Sequence, residues 1–129
     1  PTSALDVSVQ EQILSLLEDI RDRMNLSYLF ISHDLAVVAR IAEEVAVMRQ
    51  GLVVEQAPPD TLFYNPKHPY TKALIAAQPT PDIERPINLK LVAQGAGAPD
   101  SWPEDFRFTD TVIPSLTELE PGHKVRCHV

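Results

Sequence analysis

With 129 residues, 44% of them hydrophobic, the chain is long enough for one modest core. A formal net charge of −7 gives no basic surface to neutralise phosphates or adhere to anionic lipid, which argues against a nucleic-acid partner. Cys127 stands alone, so an intrachain disulfide and a cysteine metal cluster are excluded, and no apolar run approaches the roughly 20 residues of a membrane-spanning helix. The sequence opens on Pro1 with no signal-peptide pattern behind it, and the expectation is a piece of something longer.

Residues 1–6 are small and polar and read as a loop. Ser8-Val9-Gln10-Glu11 matches a capping box, in which the Ser8 hydroxyl and the Glu11 carboxylate each serve a backbone N–H, so a helix is predicted from there. Val9, Ile13, Leu16, Leu17, Ile20 and Met24 recur at spacings of three and four and predict the core-facing stripe, and Asn25 is a helix stop. Tyr28-Leu29-Phe30-Ile31 and Ser32 then read as a strand buried on both faces, the kind that lies inside a parallel sheet. Ser32-His33-Asp34 follows at its carboxyl end, where open α/β sheets bind ligands.

Asp34 suits the N-cap of a second helix carrying Leu35, Val38, Ile41 and Ala42 on one face, ending near Glu43 or Glu44. Val45 to Arg49, the two-residue turn Gln50-Gly51, and Leu52 to Glu55 predict an antiparallel hairpin at the edge of the sheet. Pro58 and Pro59 open a short helix through Phe63, and Pro69 opens another through about Ala77. From Pro79 onward the composition changes. Seven of the twelve prolines lie there, which predicts a largely irregular segment with small strands near Ile87 to Val92 and Lys124 to His128.

Three stretches carry a resemblance. Pro1-Thr2-Ser3-Ala4-Leu5-Asp6 resembles the D-loop, and His33 within Ile31-Ser32-His33-Asp34 resembles the switch histidine, of an ABC-transporter nucleotide-binding domain. Asn65-Pro66-Lys67-His68-Pro69-Tyr70-Thr71-Lys72-Ala73-Leu74 resembles the His-Pro-Tyr motif of the oligopeptide and dipeptide importer branch. Pro114-Ser115-Leu116 and the stretch from Gly122 to His128 are more weakly similar to that branch's C-terminal extension.

The resemblance implies an α/β fold: the C-terminal part of a P-loop NTPase-type ABC ATPase core with an edge β-hairpin over residues 1–78, then a small Pro-rich C-terminal extension over residues 79–129. It implies that His33 senses the γ-phosphate and orients the base, and that Ser3 and Asp6 reach across a dimer of ATP-binding subunits toward the nucleotide. An imidazole suits such work, because one nitrogen can face a phosphate oxygen while the other is fixed by a neighbour. On the residues alone, the favoured reading of His33 is a histidine satisfying a strand-to-helix turn, and that of the His-Pro-Tyr stretch is a helix start with a buried tyrosine ring. No Gly-x-x-x-x-Gly-Lys-Ser/Thr phosphate loop and no glycine-rich signature occur.

The implied function is therefore part of an ATP-hydrolysing subunit that energises import of peptides or a related solute through a separate membrane permease. The parent would use ATP and Mg and sit peripherally at the cytoplasmic face of the membrane. The piece alone is expected to hold no cofactor or metal and to be inactive. One cysteine beside His123 and His128 is far short of the four-cysteine set that extensions of this family use for an iron–sulfur cluster. The alternative is a stand-alone, non-enzymatic regulatory or protein-interaction module.

Overall fold

Helix α1 spans Val7–Met24 in this computed structural model, which describes residues 7–78, 89–109 and 111–128. The helix already includes Val7, so Ser8 lies inside its first turn rather than at the N-cap. Asn25 ends it in the left-handed region at φ 52°, and Leu26 N–H closes back onto Arg21 O at 3.1 Å, the six-to-one bond of a Schellman end. The buried stripe is narrower than expected. Leu14 is 2% exposed and Ile13, Leu17 and Ile20 are half-buried, whereas Val9, Leu16 and Met24 are open to solvent.

The predicted strand at Tyr28 to Ser32 is corrected. Leu26–Ser32 carries no strand, and Leu29 and Ile31 are 93% and 89% exposed. The reason is topological: a central parallel strand exists only where neighbours on both sides take its N–H and C=O groups. Every strand pair in the described residues is antiparallel and lies further along the chain. Helix α2, Leu35–Ile41, begins as expected, with the Asp34 carboxylate accepting from Ala36 and Val37 N–H, and it stops at Ala42, short of Glu43.

By its internal contacts the chain divides into Pro1–Ala42 and Glu43–Val129. The second unit is built on a four-stranded antiparallel sheet. Strands β1, Val45–Arg49, and β2, Leu52–Ala57, form the expected hairpin, with a register shift between Val47 and Met48. Gln50 and Gly51 both take positive φ, 48° and 82°, the backbone that lets a two-residue turn match the twist of its strands. Helix α3, Pro59–Tyr64, and helix α4, Pro69–Ala76, each place proline in the first turn, where its missing N–H costs nothing.

The tail differs from expectation. Where a strand was predicted near Ile87 to Val92, Leu89–Ala96 is helix α5, packed on α4; Ile87 itself lies outside the described residues. The approach is close enough to need glycine. A Cβ at Gly95 would lie 2.2 Å from Pro69 O and 2.3 Å from Ala73 Cβ. Short 3₁₀ turns at Pro99–Ser101 and Glu104–Phe106 lead to strand β3, Leu116–Glu120, and strand β4, His123–Arg126. The predicted strand from Lys124 is thus found one residue earlier. It pairs with β2, giving the order β1-β2-β4-β3, so the hairpin and the tail share one sheet. Val54, Ala57, Leu62, Trp102 and Val125 are at most 1% exposed and form the centre of the core.

Candidate functional site

His33 sits in a turn whose other polar side chains are committed to the backbone. Ser32 Oγ accepts from Asp34 N–H at 3.0 Å, and Asp34 Oδ1 accepts from Ala36 N–H at 3.0 Å and Val37 N–H at 3.3 Å. Asp34 is therefore a helix cap, while His33 is exposed. The turn is tied to α1 on both sides: Tyr28 Oη donates to Leu17 O at 3.1 Å, and the Arg40 guanidinium of α2 bonds Glu11, Ser15 Oγ at 3.1 Å and Glu18 at 3.3 Å. The Glu11 bond, then that to Glu18, raises the Arg40 pKa above its ordinary value. Ser3 and Asp6, the other expected nucleotide-facing residues, lie outside the described residues.

A second polar cluster surrounds the His-Pro-Tyr stretch. His68 is the N-cap of α4, its Nδ1 accepting from Tyr70 N–H at 3.1 Å, so the neutral ring carries its proton on Nε2. The imidazole is fully buried, edge-on to Trp102 with centroids 4.7 Å apart and to Phe106 at 5.4 Å. Burial lowers its pKa to about 4, helped by the positive charges of Arg49 and Arg126. Beneath it, the buried Glu55 carboxylate accepts from Lys67 N–H at 2.8 Å and His68 N–H at 3.0 Å. Its Oε1 also lies 2.7 Å from His123 Nε2. With amides already on both oxygens, the imidazole is the donor in that bond.

The ring closes at the surface, where Glu120 holds Lys67 Nζ at 3.1 Å and lies 3.9 Å from His123 Nδ1. On the other side of the motif Arg49 lies over the Trp102 and Tyr70 rings, 4.9 and 5.5 Å from their centroids, and donates to Gly97 O. Arg126 donates to Val53 O and Pro114 O, each at 2.7 Å. Glu55 comes from β2, His68 from the start of α4, Trp102 from between the 3₁₀ turns and His123 from β4. The cluster thus fastens the tail to the hairpin and offers a buried, saturated carboxylate rather than a reactive one.

Neither Glu55 nor Trp102 stood out in the sequence. A charged residue amid the apolar run of β2, next to the inward-facing Val54, was the available signal for Glu55. His123 and Cys127 are buried and His128 is exposed. Each has its own partner: Glu55 for His123, Val125 O for the thiol at 3.7 Å, and Arg107 O for His128 at 2.7 Å. Burial, then the charge of Asp105, pushes the Cys127 thiol pKa up.

Residues 54–111 match the family model described as the oligopeptide/dipeptide transporter C-terminal region. Over 127 residues, 97% of the chain, it is 45% identical to the oligopeptide transport ATP-binding protein AmiF of Streptococcus pneumoniae. It is 41% identical over 98% of its length to the oligopeptide transport ATP-binding protein OppF of Bacillus subtilis, and 39% identical over 98% to a putative peptide import ATP-binding protein of Brucella ovis. The chain matches the C-terminal part of oligopeptide/dipeptide ABC-transporter ATP-binding proteins.

It spans 38%, 39% and 43% of the lengths of these three relatives. The buried Glu55–His68–His123 cluster falls inside and just beyond the matched C-terminal region, whereas the His33 turn precedes it. Among the described residues, no helix is long and apolar enough to cross a membrane.

Proposed function

We propose that the chain supplies the C-terminal part of an ATP-hydrolysing subunit, dimeric with a second ATP-binding subunit, that energises import of peptides or a related solute through a separate membrane permease. In this reading residues 1–78 are the end of the nucleotide-binding domain and residues 79–129 its extension, held at the cytoplasmic face of the membrane. The observation that carries it is likeness to oligopeptide transport ATP-binding proteins along 97% of the chain. ATP and Mg belong to the parent, whose phosphate loop would complete the site.

Phosphoryl transfer asks the protein for positioning and charge stabilisation more than for covalent chemistry. Exposed His33, at a turn locked by Ser32 and Asp34, would face the γ-phosphate or hold the attacking water. Ser3 and Asp6 would contribute toward the partner's nucleotide. The test is ATP turnover by the full-length subunit with His33→Ala. Removal of one preorganised donor should reduce it by about 10²-fold or more, and an unchanged rate returns His33 to a purely structural role. The chain alone should show no saturable turnover.

One observation favours the stand-alone interaction module: Glu43–Val129 is a compact unit with its own sheet and core. A phosphate loop encoded upstream of Pro1 supports the ATPase reading, and a start codon there supports the module.

A further inference from the structure

We infer that the start of α4 holds a buried monovalent anion of chloride size, bound by Arg49 Nη1, His68 Nε2 and Thr71 Oγ1. These three atoms are buried and have no hydrogen-bond partner in the protein. A buried donor without an acceptor is costly, and three in one neighbourhood call for a ligand that accepts from all of them.

Each group is pinned by its other contacts, so it does not turn away to find a partner elsewhere. His68 Nδ1 accepts from Tyr70 N–H, which leaves Nε2 as the protonated nitrogen. Arg49 Nη2 donates to Gly97 O while the guanidinium lies over the Trp102 ring, 4.9 Å from its centroid. The His68 ring meets the same indole at 4.7 Å, and Thr71 follows His68 by three residues, on the same side of the first turn of α4. All three atoms are already buried, so a further segment of a longer chain has no surface through which to reach them.

Charge selects an anion over a neutral ligand. Arg49 and Arg126, the two cations that act on His68, bond carbonyl oxygens: Gly97 O for the first, Val53 O and Pro114 O for the second. Among the described residues neither has a carboxylate within ion-pair distance. Glu55, the buried carboxylate of this cluster, is taken by Lys67 N–H, His68 N–H and His123. Two positive charges against one negative leave a charge unbalanced in the core, and one bound anion neutralises it. The guanidinium and the His68 Nε2–H can only donate, as an anion requires, and the Thr71 hydroxyl can do the same. The ion sits where Trp102 closes on the His-Pro-Tyr turn, which makes the attachment of the tail to α4 anion-dependent. Neither His33 nor the nucleotide takes part.

The test has two arms. The chain is crystallised from sodium bromide with anomalous scattering recorded at the bromine edge, and its urea unfolding is followed by circular dichroism in sodium chloride and in sodium gluconate at equal ionic strength. A bromide peak within hydrogen-bond distance of His68 Nε2, Thr71 Oγ1 and Arg49 Nη1 is expected. The urea midpoint should rise with chloride along a saturating curve and stay level in gluconate, which is too large for the site. Thr71→Val keeps the shape of the side chain and removes its donor, so the same rise should need about tenfold more chloride, the worth of one hydrogen bond to a charged group. Density at this point without an anomalous signal identifies a water and overturns the anion. A bromide peak with equal midpoints in the two salts shows binding at crystal concentration only and overturns it too, as does a chloride response that Thr71→Val leaves unchanged. Should Thr71→Val fail to fold, the peak and the two salts in the unsubstituted chain decide.

Discussion

Glu55 Oε1 and His123 Nε2 are 2.7 Å apart, both side chains fully buried, although 68 residues separate them in the chain. Glu55 also takes the two amides that open the His-Pro-Tyr motif, so one carboxylate joins β2, β4 and the approach to α4. Glu55→Leu would leave Lys67 N–H, His68 N–H and the imidazole without their acceptor. The expected loss is about 3–5 kcal/mol, the usual result of removing one side of a buried polar pair. Urea unfolding followed by the fluorescence of Trp102, the one tryptophan of the chain, reads this unit directly. A midpoint within error of wild type would sink the assignment.

His68 predicts a pH dependence with a definite sign. Its pKa falls from 6.5 to about 4 on folding, so between those values the unfolded chain holds more protons than the folded one. Stability from this group is complete above about pH 6.5 and is lost as the pH drops toward 4, about 3 kcal/mol in all. His68→Asn keeps a capping acceptor for Tyr70 N–H and removes the titration. Its urea midpoints across this range should therefore be flatter with pH than those of wild type, and equal slopes would refute the burial argument.

Gly95 tests the close packing of α5 on α4. Alanine there drives a Cβ into Pro69 O at 2.2 Å, a backbone atom that cannot swing away, so the helices must part. Overpacking of this kind costs about 1–3 kcal/mol. At Gly97 the same substitution meets the Ser101 hydroxyl at 2.4 Å, the end of a side chain that can rotate. Gly95→Ala should therefore lower the melting temperature clearly more than Gly97→Ala, and the reverse order would contradict the packing.

Leu29 and Ile31 predict self-association. Two large apolar side chains about nine-tenths exposed, on a stretch without ladder partners, are a template for strand pairing between copies. Light scattering should show concentration-dependent growth that Leu29→Lys/Ile31→Lys suppresses. A monomer at all concentrations in the unsubstituted chain would rule this out.

What could be read from the residues was whatever their neighbours decide. Gln50-Gly51 specifies its turn through the backbone angles it tolerates, and Asp34 specifies a helix start through donors two and three residues away. Tyr28 to Ser32 failed because a buried strand is defined by strands beside it, which the described residues do not supply. Leu89 to Val92 misled because a short apolar run suits a strand or a helix equally until Gly95 meets α4. In the site, the His33 turn was legible because Ser32, His33 and Asp34 are consecutive. The Glu55–His123 pair was not, because its partners meet only through the pairing of β2 with β4.

That pairing also governs when the unit can form. β2 finds its second neighbour only after His123–Arg126 has been synthesised, some seventy residues later. Until the ribosome releases β4, Glu55 lacks its His123 partner and one edge of the hairpin stays open. During synthesis this half of the chain is thus exposed to proteases and to mispairing until almost its last strand, and any stop codon ahead of His123 would leave it permanently unclosed.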